Sequence, residues 1–175
     1  MNTKEIFLYY DKSYLKYFKN IITKEECDEF IHKFNQEPRR NDPQVDGSLI
    51  NRNVSFGQEI FDKCIDRIQT ELNTEFAYLG CWIRKYVKGN KLHRHHDDAF
   101  EKGYVLSLNL GKSDDIKNIL YVYEEDKTHE VELNVGDSYF FPGTILEHER
   151  DTIESDYFYS CYLAFKEKPK HKTLF

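Results

Sequence analysis

From about residue 77 to residue 168, the sequence is a series of short β-rich runs, and this feature limits the possible folds most strongly. Aromatic and β-branched residues are grouped between turn signals, and no helical pattern interrupts them. The six runs are AYLGCWIRKYV, YVLSLNL, NILYVYEE, HEVELN, DSYFFP and DYFYSCYLAF. Six closely spaced strands favour an antiparallel sandwich or barrel, which is an all-β core.

Two amphipathic helices are predicted before these strands. The first covers residues 24–35, where Thr23 and Glu26 form a capping box and apolar residues recur at helical spacing. The second covers residues 58–72, and its apolar face consists of Phe61, Ile65, Ile68 and Leu72. Because each helix has one apolar face, we expect both to flank the core by packing on one sheet.

The length of 175 residues, 39% of them hydrophobic, fits one domain with its own core. We expect residues 1–175 to form this domain, with an N-terminal helical support at about 1–76 and the β core at about 77–168. The prolines and the many Asn and Asp residues of segment 36–57 predict a long loop. Long loops often face substrates, so this loop and residues 98–103 are the predicted substrate groove.

Charge and cysteine content narrow the possible partners and settings. The 31 acidic and 25 basic residues are interspersed, giving a formal net charge of -6 without a basic stripe, so no nucleic-acid partner is expected. No segment approaches the roughly 20 apolar residues of a membrane span, so no membrane partner is expected either. Four scattered cysteines without a C-x-x-C pair indicate free thiols in a reducing cytoplasmic, intracellular setting. The oligomeric state cannot be predicted.

The segment HRHHDD, residues 93–98, concentrates groups that bind metal ions. It contains the spacing H-x-D twice and the spacing H-x-H once, at His95/Asp97, His96/Asp98 and His93/His95. In a strand, residues two apart point to the same face, so either H-x-D step would direct an imidazole and a carboxylate to one side. A metal site needs a further donor, and His148 follows the segment GDSYFFPGTILE. Two imidazoles and one carboxylate form the facial triad typical of non-haem Fe(II).

These two segments resemble the signatures of the Fe(II)- and 2-oxoglutarate-dependent dioxygenases, particularly the prolyl-hydroxylase-like branch. RKYVKGNKLHRHHDD is similar to the pattern Y-x-x-G-x-x-L-x-x-H-x-D, with Tyr86, Gly89, Leu92, His95 and Asp97 in register. GDSYFFPGTILEH is similar to the second signature, which leads to the distal histidine. The initial helix IITKEECDEFIHKF also resembles the helix with which these domains usually begin.

The resemblance implies a double-stranded β-helix, or jelly roll, with Fe(II) bound by His95, Asp97 and His148 as the catalytic centre. It implies a hydroxylase that uses 2-oxoglutarate and O₂, releases succinate and CO₂, and oxidises a C–H bond of a peptide, protein, amino-acid or other small-molecule substrate. It also implies contacts between 2-oxoglutarate and residues of the strands, here Tyr86, Ser107 and Asn109.

One part of the family pattern is missing. The family usually has an Arg or Lys about ten residues after the distal histidine, which pairs with the far carboxylate of 2-oxoglutarate, but DTIESDYFYSCYLAF contains no basic residue. Arg150 or Arg84 could replace it, tyrosines such as Tyr157 or Tyr159 could bind the carboxylate, or the co-substrate could differ. Two other functions remain open: a cupin-like metal-binding or sugar-modifying protein using His93, His95 and His148, and a catalytically silent binding domain.

Overall fold

The computed structural model of the chain describes residues 10–98 and 103–169. Within these ranges it has two α-helices, α1 (Lys24–Gln36) and α2 (Gly57–Leu72), and a 3₁₀ turn at Lys12–Tyr14. The strands are β1 (Lys16–Phe18), β2 (Arg40–Asn41), β3 (Leu49–Asn51), β4 (Phe76–Val87), β5 (Leu92–His95), β6 (Tyr104–Lys112), β7 (Leu120–Tyr123), β8 (Thr128–Val131), β9 (Ser138–Phe141), β10 (Glu147–Arg150) and β11 (Tyr157–Glu167).

The strands form two antiparallel sheets. The major sheet has the order β1-β9-β6-β11-β4-β3-β2, and the minor sheet has the order β5-β10-β7-β8. From β4 onward the chain passes repeatedly between the two sheets, since β5, β7, β8 and β10 lie in the minor sheet and the others in the major sheet. This arrangement is the predicted double-stranded β-helix, with an all-β core and flanking helices.

Both helices cover the outer face of the major sheet, as predicted. The capping box at the start of α1 is present, because Thr23 Oγ1 accepts from the Glu26 amide (3.2 Å) and Glu26 Oε2 accepts from the Thr23 amide (2.8 Å). Helix α2 ends at Asn73, which adopts the left-handed conformation that commonly terminates helices. The helices and the sheet bury one large apolar cluster that includes Phe30, Phe34, Ile60, Ile68, Leu106, Leu108, Leu163 and Phe165.

The opposite face of the major sheet, which lines the inside of the barrel, carries buried polar side chains among apolar ones such as Val105, Phe141 and Tyr162. On β6, Leu106 and Leu108 belong to the helix-side cluster, whereas the alternating Ser107 and Asn109 do not. Both have partners, as buried polar side chains require: Ser107 accepts from Arg150, and Asn109 donates to the carbonyl of Leu133.

The structure differs from the sequence prediction in the shortest strands. The segment 36–57, predicted as a loop, contains β2 and β3, which form a hairpin beside β4. The N-terminal segment, predicted as a helical support, also contributes β1 to the major sheet. Of the helices in the described ranges, none has the length and apolar character needed to cross a membrane.

Candidate metal centre

Three possible metal ligands meet between the ends of β5 and β10. His95 and His148 are directly paired across these strands, and their ring centroids are 4.4 Å apart. Asp97 Oδ1 lies 3.8 Å from His95 Nε2 and 3.5 Å from His148 Nε2. The donor atoms of the three residues all lie within 4.8 Å of one another, which is the spacing of side chains that share one ion.

Both imidazoles are held with Nε2 directed at this point. His95 Nδ1 is bonded to the carbonyl of His93 (2.7 Å), and His148 Nδ1 is bonded to the carbonyl of Leu146 (3.1 Å). A carbonyl only accepts, so each Nδ1 carries the proton and each Nε2 has a free lone pair, as a metal ligand requires. Burial, together with the adjacent ring of His148, lowers the pKa of His95, which favours the neutral ligand form.

Asp97 is not positioned by the strand that carries His95, although the sequence predicted this. The expectation placed His95 and Asp97 on one face of a strand, but β5 ends at His95, and Asp97 lies beyond it. The Asp97 amide donates to the carbonyl of Gly143 (2.9 Å) in the turn between β9 and β10. A Cβ built on Gly143 would overlap Asp97 Oδ2, so the absence of a side chain there leaves room for the carboxylate.

The neighbouring histidines and aspartate lie outside this cluster. His93, His96 and Asp98 are exposed, in contrast to His148, which is buried. His93 therefore lies outside the cluster that contains His95, although a single residue separates the two in the sequence. The donor set that a cupin-like site would use is not assembled in this arrangement.

A cavity of about 300 Å³ opens beside the three ligands. Its other walls come from the β2–β3 hairpin, from β4, β6 and β11, and from β5 with the residues that follow it. They consist of Gln44, Arg52, Trp82, Arg84, Leu92, His96, Asp98, Val105 and Tyr162. Within the predicted groove, residues 44, 52 and 98 thus line the cavity, whereas residues 99–102 lie outside the described ranges. The cavity volume suits small molecules or single side chains rather than a folded partner.

Two buried arginines lie on the inner side of the site: Arg84 lines the cavity, whereas Arg150 lies behind its wall, with its guanidinium 5.9 Å from the ring of Tyr86. Arg84 forms an ion pair with Asp42 and donates to Tyr86 Oη (2.9 Å), which lies 2.8 Å from Tyr162 Oη. Arg150 donates to the carbonyl of Asn118 (3.0 Å) and to Ser107 Oγ (3.2 Å). Within residues 10–98 and 103–169, no carboxylate pairs with Arg150, and its Nε has no hydrogen-bond partner.

The arginines set the proton distribution of the tyrosine pair. Burial and then the adjacent Tyr162 raise the pKa of Tyr86. Burial also opposes ionisation of Tyr162, but the positive charges of Arg150 and Arg84 outweigh it and lower the pKa of Tyr162. These shifts favour Tyr86 as the donor to the oxygen of Tyr162, which leaves the Tyr162 hydroxyl free to donate to a ligand in the cavity.

The remaining predicted residues have varied positions. Ser107 supports Arg150, and Asn109 Nδ2 donates to the carbonyl of Leu133 (2.8 Å), so both are buried beside the cavity rather than lining it. Tyr157 is exposed, and Tyr159 contacts Phe34 on the helix side of the sheet. These two tyrosines therefore face away from the cavity.

The sequence prediction did not single out several residues of the cavity wall, among them Gln44, Arg52, Trp82 and Tyr162, although Gln44 and Arg52 lie in the segment 36–57 predicted as part of the groove. For Trp82 and Tyr162, the alternation of side chains along a strand could have indicated that they face the cavity. Trp82 lies two residues before Arg84 on β4, and Tyr162 lies on β11 at an even spacing from Phe158, which contacts Arg150. No local pattern pointed to Gln44 or Arg52, because their position depends on the hairpin that carries them.

No protein-family model matches the sequence, and no curated protein matches it either. Solved structures do match in three dimensions. An oxidoreductase of the 2OG-Fe(II) oxygenase family from Burkholderia pseudomallei aligns with a TM-score of 0.74 at 12% identity, covering 89% of this chain and 86% of that one. A prolyl-4-hydroxylase from Pseudomonas putida aligns with a TM-score of 0.67 at 15% identity, covering 89% and 94%.

HygX from Streptomyces hygroscopicus, solved with nickel and 2-oxoglutarate bound, aligns with a TM-score of 0.69 at 10% identity, covering 94% of this chain and 87% of that one. Identities this low show the fold rather than the activity. The chain therefore has the double-stranded β-helix fold of the 2-oxoglutarate- and Fe(II)-dependent oxygenases.

Proposed function

We propose that the chain is an oxygenase that uses Fe(II), 2-oxoglutarate and O₂ to hydroxylate a C–H bond of a small molecule or of a peptide, protein or amino-acid side chain. The observation that carries this proposal is the convergence of His95 Nε2, His148 Nε2 and an Asp97 carboxylate oxygen, with each Nδ1 engaged by a carbonyl. Two imidazoles and one carboxylate suit Fe(II) and leave coordination positions for other ligands.

When bound, the iron supplies the redox chemistry that couples oxidative decarboxylation of 2-oxoglutarate to oxidation of the substrate. The residues of the chain bind and orient the ligands and exclude water from the site. Leu92 and Val105 line the cavity beside the ligands and give it apolar walls, which limit the access of water. HygX, whose structure contains nickel and 2-oxoglutarate, supports this combination of metal and co-substrate on the same fold.

We further propose that Arg150 and Arg84 replace the missing basic residue and bind the far carboxylate of 2-oxoglutarate together with Tyr162. The guanidinium of Arg150 lies 4.8 Å from the ring of Phe158, which is the tenth residue after His148, so a positive charge from β10 is present near the position that usually carries it. Arg150 is 1% exposed and has no carboxylate partner in the described part of the chain, and a buried charge favours a counter-ion. In this proposal Ser107 positions Arg150, Tyr86 positions Tyr162, and Asn109 stabilises the adjacent backbone.

This assignment also addresses the alternatives left by the sequence. The cupin-like set requires His93, which is exposed and outside the cluster. The silent-domain hypothesis was motivated by the missing cation, and two buried arginines now fill that role in the proposal. The buried free thiols support a reducing compartment such as the cytoplasm.

Anaerobic titration of the Fe(II)-loaded protein with 2-oxoglutarate tests the proposal. We expect the weak visible charge-transfer band of the chelate to appear with the wild type and to be lost in Asp97→Ala. His93→Ala is the matched control, because it removes an exposed imidazole that lies outside both the ligand cluster and the cavity. Tight iron binding without any band in the wild type would contradict the proposal.

A second titration tests the arginines. Arg150→Met should retain Fe(II) but weaken 2-oxoglutarate binding at least about tenfold, because a hydrogen bond to a charged group contributes about 1.5–3 kcal/mol. Unchanged 2-oxoglutarate affinity in Arg150→Met and in Arg84→Met would show that the carboxylate binds elsewhere.

A further inference from the structure

A third arginine lies at the mouth of the cavity and has no part in binding the metal or the co-substrate as proposed. Arg52 follows β3, and its side chain is 43% exposed, so it contacts both solvent and the cavity. Its Nη2 donates to Gln44 Oε1 (3.1 Å) and lies 3.8 Å from Asp42 Oδ1. Most of the five N–H groups of the guanidinium therefore remain available.

A network of hydrogen bonds holds Arg52 in this position. The Asp42 side chain is fully buried, pairs with Arg84, and accepts from the amide of Gln44 (2.9 Å). Gln44 Oε1 accepts from Arg84 Nη2 (3.0 Å) as well as from Arg52. One carboxylate thus lies between two guanidinium groups, so the group formed by Arg52, Asp42 and Arg84 carries one net positive charge.

Aromatic and apolar side chains line part of the cavity that contains both Arg52 and the ligand cluster. Trp82 is half-buried and stacks on Tyr162, with ring centroids 5.6 Å apart and an interplanar angle of 19°. Leu92 and Val105 line the same cavity. A ligand with an anionic group at Arg52 could lay its carbon skeleton along Trp82 and direct a C–H bond toward the metal ligands.

We propose that the primary substrate is a small carboxylic acid whose carboxylate binds Arg52, an inference that rests on the proposed oxygenase function. The planar guanidinium matches a carboxylate with two parallel hydrogen bonds. The cavity of about 300 Å³ must also hold the co-substrate, which leaves space for a small acid but not for a longer segment of chain. Arg52 is thus the residue that determines specificity at the open end of the site.

The chain contains a single tryptophan, so the fluorescence of Trp82 reports directly on this cavity. The Fe(II)-loaded protein is saturated anaerobically with 2-oxoglutarate, and occupancy is verified by the charge-transfer band. It is then titrated, at constant ionic strength, with a panel of α-amino, α-hydroxy and aliphatic carboxylic acids, each beside its primary amide. We expect at least one acid to change the fluorescence and its amide to bind at least about tenfold more weakly.

Variants test the assignment to Arg52. Arg52→Gln should weaken binding of the acid at least about tenfold without changing that of the amide, whereas Arg52→Lys should retain part of the preference. Arg39→Gln is the matched control, because Arg39 lies in the same segment, bonds to Asn35 Oδ1 and does not line the cavity. Equal affinity for acid and amide, unchanged acid binding in Arg52→Gln, or no binding by any acid would overturn the proposal.

The two proposals fail in different ways. If the charge-transfer band never forms, the proposed oxygenase function is wrong. The role of Arg52 can still be tested, by comparing the binding of acid and amide to the metal-free protein through the fluorescence of Trp82. If the band forms but the acid is not preferred, only the Arg52 proposal fails.

Discussion

The two arginines inside the barrel differ in how their charges are compensated. Arg84 pairs with the buried Asp42, whereas Arg150 donates only to neutral oxygen atoms of Asn118 and Ser107. Removing one partner of a buried ion pair leaves an uncompensated charge, at a cost of about 3–5 kcal/mol. Removal of Arg150 leaves no buried carboxylate behind.

We therefore predict that Arg84→Met lowers the free energy of unfolding by about 3–5 kcal/mol and that Arg150→Met lowers it by less. Urea unfolding of the metal-free proteins measures both values. The double variant Asp42→Asn with Arg84→Met should recover part of the loss, because it removes the buried carboxylate that would otherwise keep only the weaker contact with the partly exposed Arg52 at 3.8 Å. A larger loss for Arg150→Met than for Arg84→Met would contradict this account of charge compensation.

The four cysteines are buried, and burial raises the pKa of Cys27 and that of Cys64 from 9.0 to about 12. Between about pH 9 and pH 12, these two thiols stay protonated in the folded chain but lose their protons in the unfolded chain. Stability contributed by the protonated thiols is therefore complete below pH 9 and decreases as the pH rises above it.

We predict that DTNB at pH 8 labels no thiol of the native protein rapidly and labels all four after unfolding in urea. The free energy of unfolding should also decrease between about pH 9 and pH 12. Replacing Cys27 and Cys64 by Ala should reduce this alkaline decrease. Fast labelling of the native protein would show that the helices do not seal the outer face of the sheet.

At the scale of elements, the turn between β9 and β10 determines where Asp97 lies. The carbonyl of Gly143 accepts from the Asp97 amide, and a Cβ on Gly143 would overlap Asp97 Oδ2 and lie 2.9 Å from Val105 Cγ1. We predict that Gly143→Ala weakens Fe(II) binding at least about tenfold, since misplaced supporting residues commonly cost about 10–100-fold in metal affinity. Gly80→Ala is the control, because no atom lies within 4 Å of the Cβ position there.

Isothermal titration with Mn(II) as a redox-stable probe, together with circular dichroism, separates the site from the fold. If Gly143→Ala binds metal as tightly as the wild type, then the turn does not control the position of Asp97.

The sequence predicted the long elements well and the short ones poorly. Helices of 13 and 16 residues and the strands β4, β6 and β11 have enough periodic positions to be identified from pattern alone. By contrast, β5 and β10 have four residues each and consist largely of His, Arg and Glu, so their pairing partners rather than their composition define them.

The same contrast applies to the candidate site. The H-x-D spacing and the distal histidine singled out the three residues that the structure brings together, but not the way in which Asp97 arrives there. The predicted groove 36–57 contains Arg52 and Gln44, but neither could have been singled out within it, because a hairpin of 2- and 3-residue strands brings them to the cavity. A local pattern cannot encode the contact of Asp42 with Arg84, which are 42 residues apart.

At the scale of the whole molecule, the site joins the two sheets. His95 and His148 lie on the minor sheet, whereas Trp82, Arg84 and Tyr162 lie on the major sheet. A ligand that contacts residues of both sheets connects the two sheets non-covalently, and it binds the folded chain only. Such binding raises stability by mass action.

We predict that 2-oxoglutarate stabilises the Mn(II)-loaded protein and has little effect on the metal-free protein. The reason is that one 2-oxoglutarate molecule must contact both the metal and the arginines to bind tightly. At a concentration 100 times Kd the gain is about 2.7 kcal/mol, or roughly 5–10 °C in Tm for a chain of this size. Succinate, which has no keto group to chelate the metal, should give a smaller shift. Equal shifts with and without Mn(II), measured by differential scanning calorimetry, would mean that the co-substrate does not bridge the two sheets through the metal.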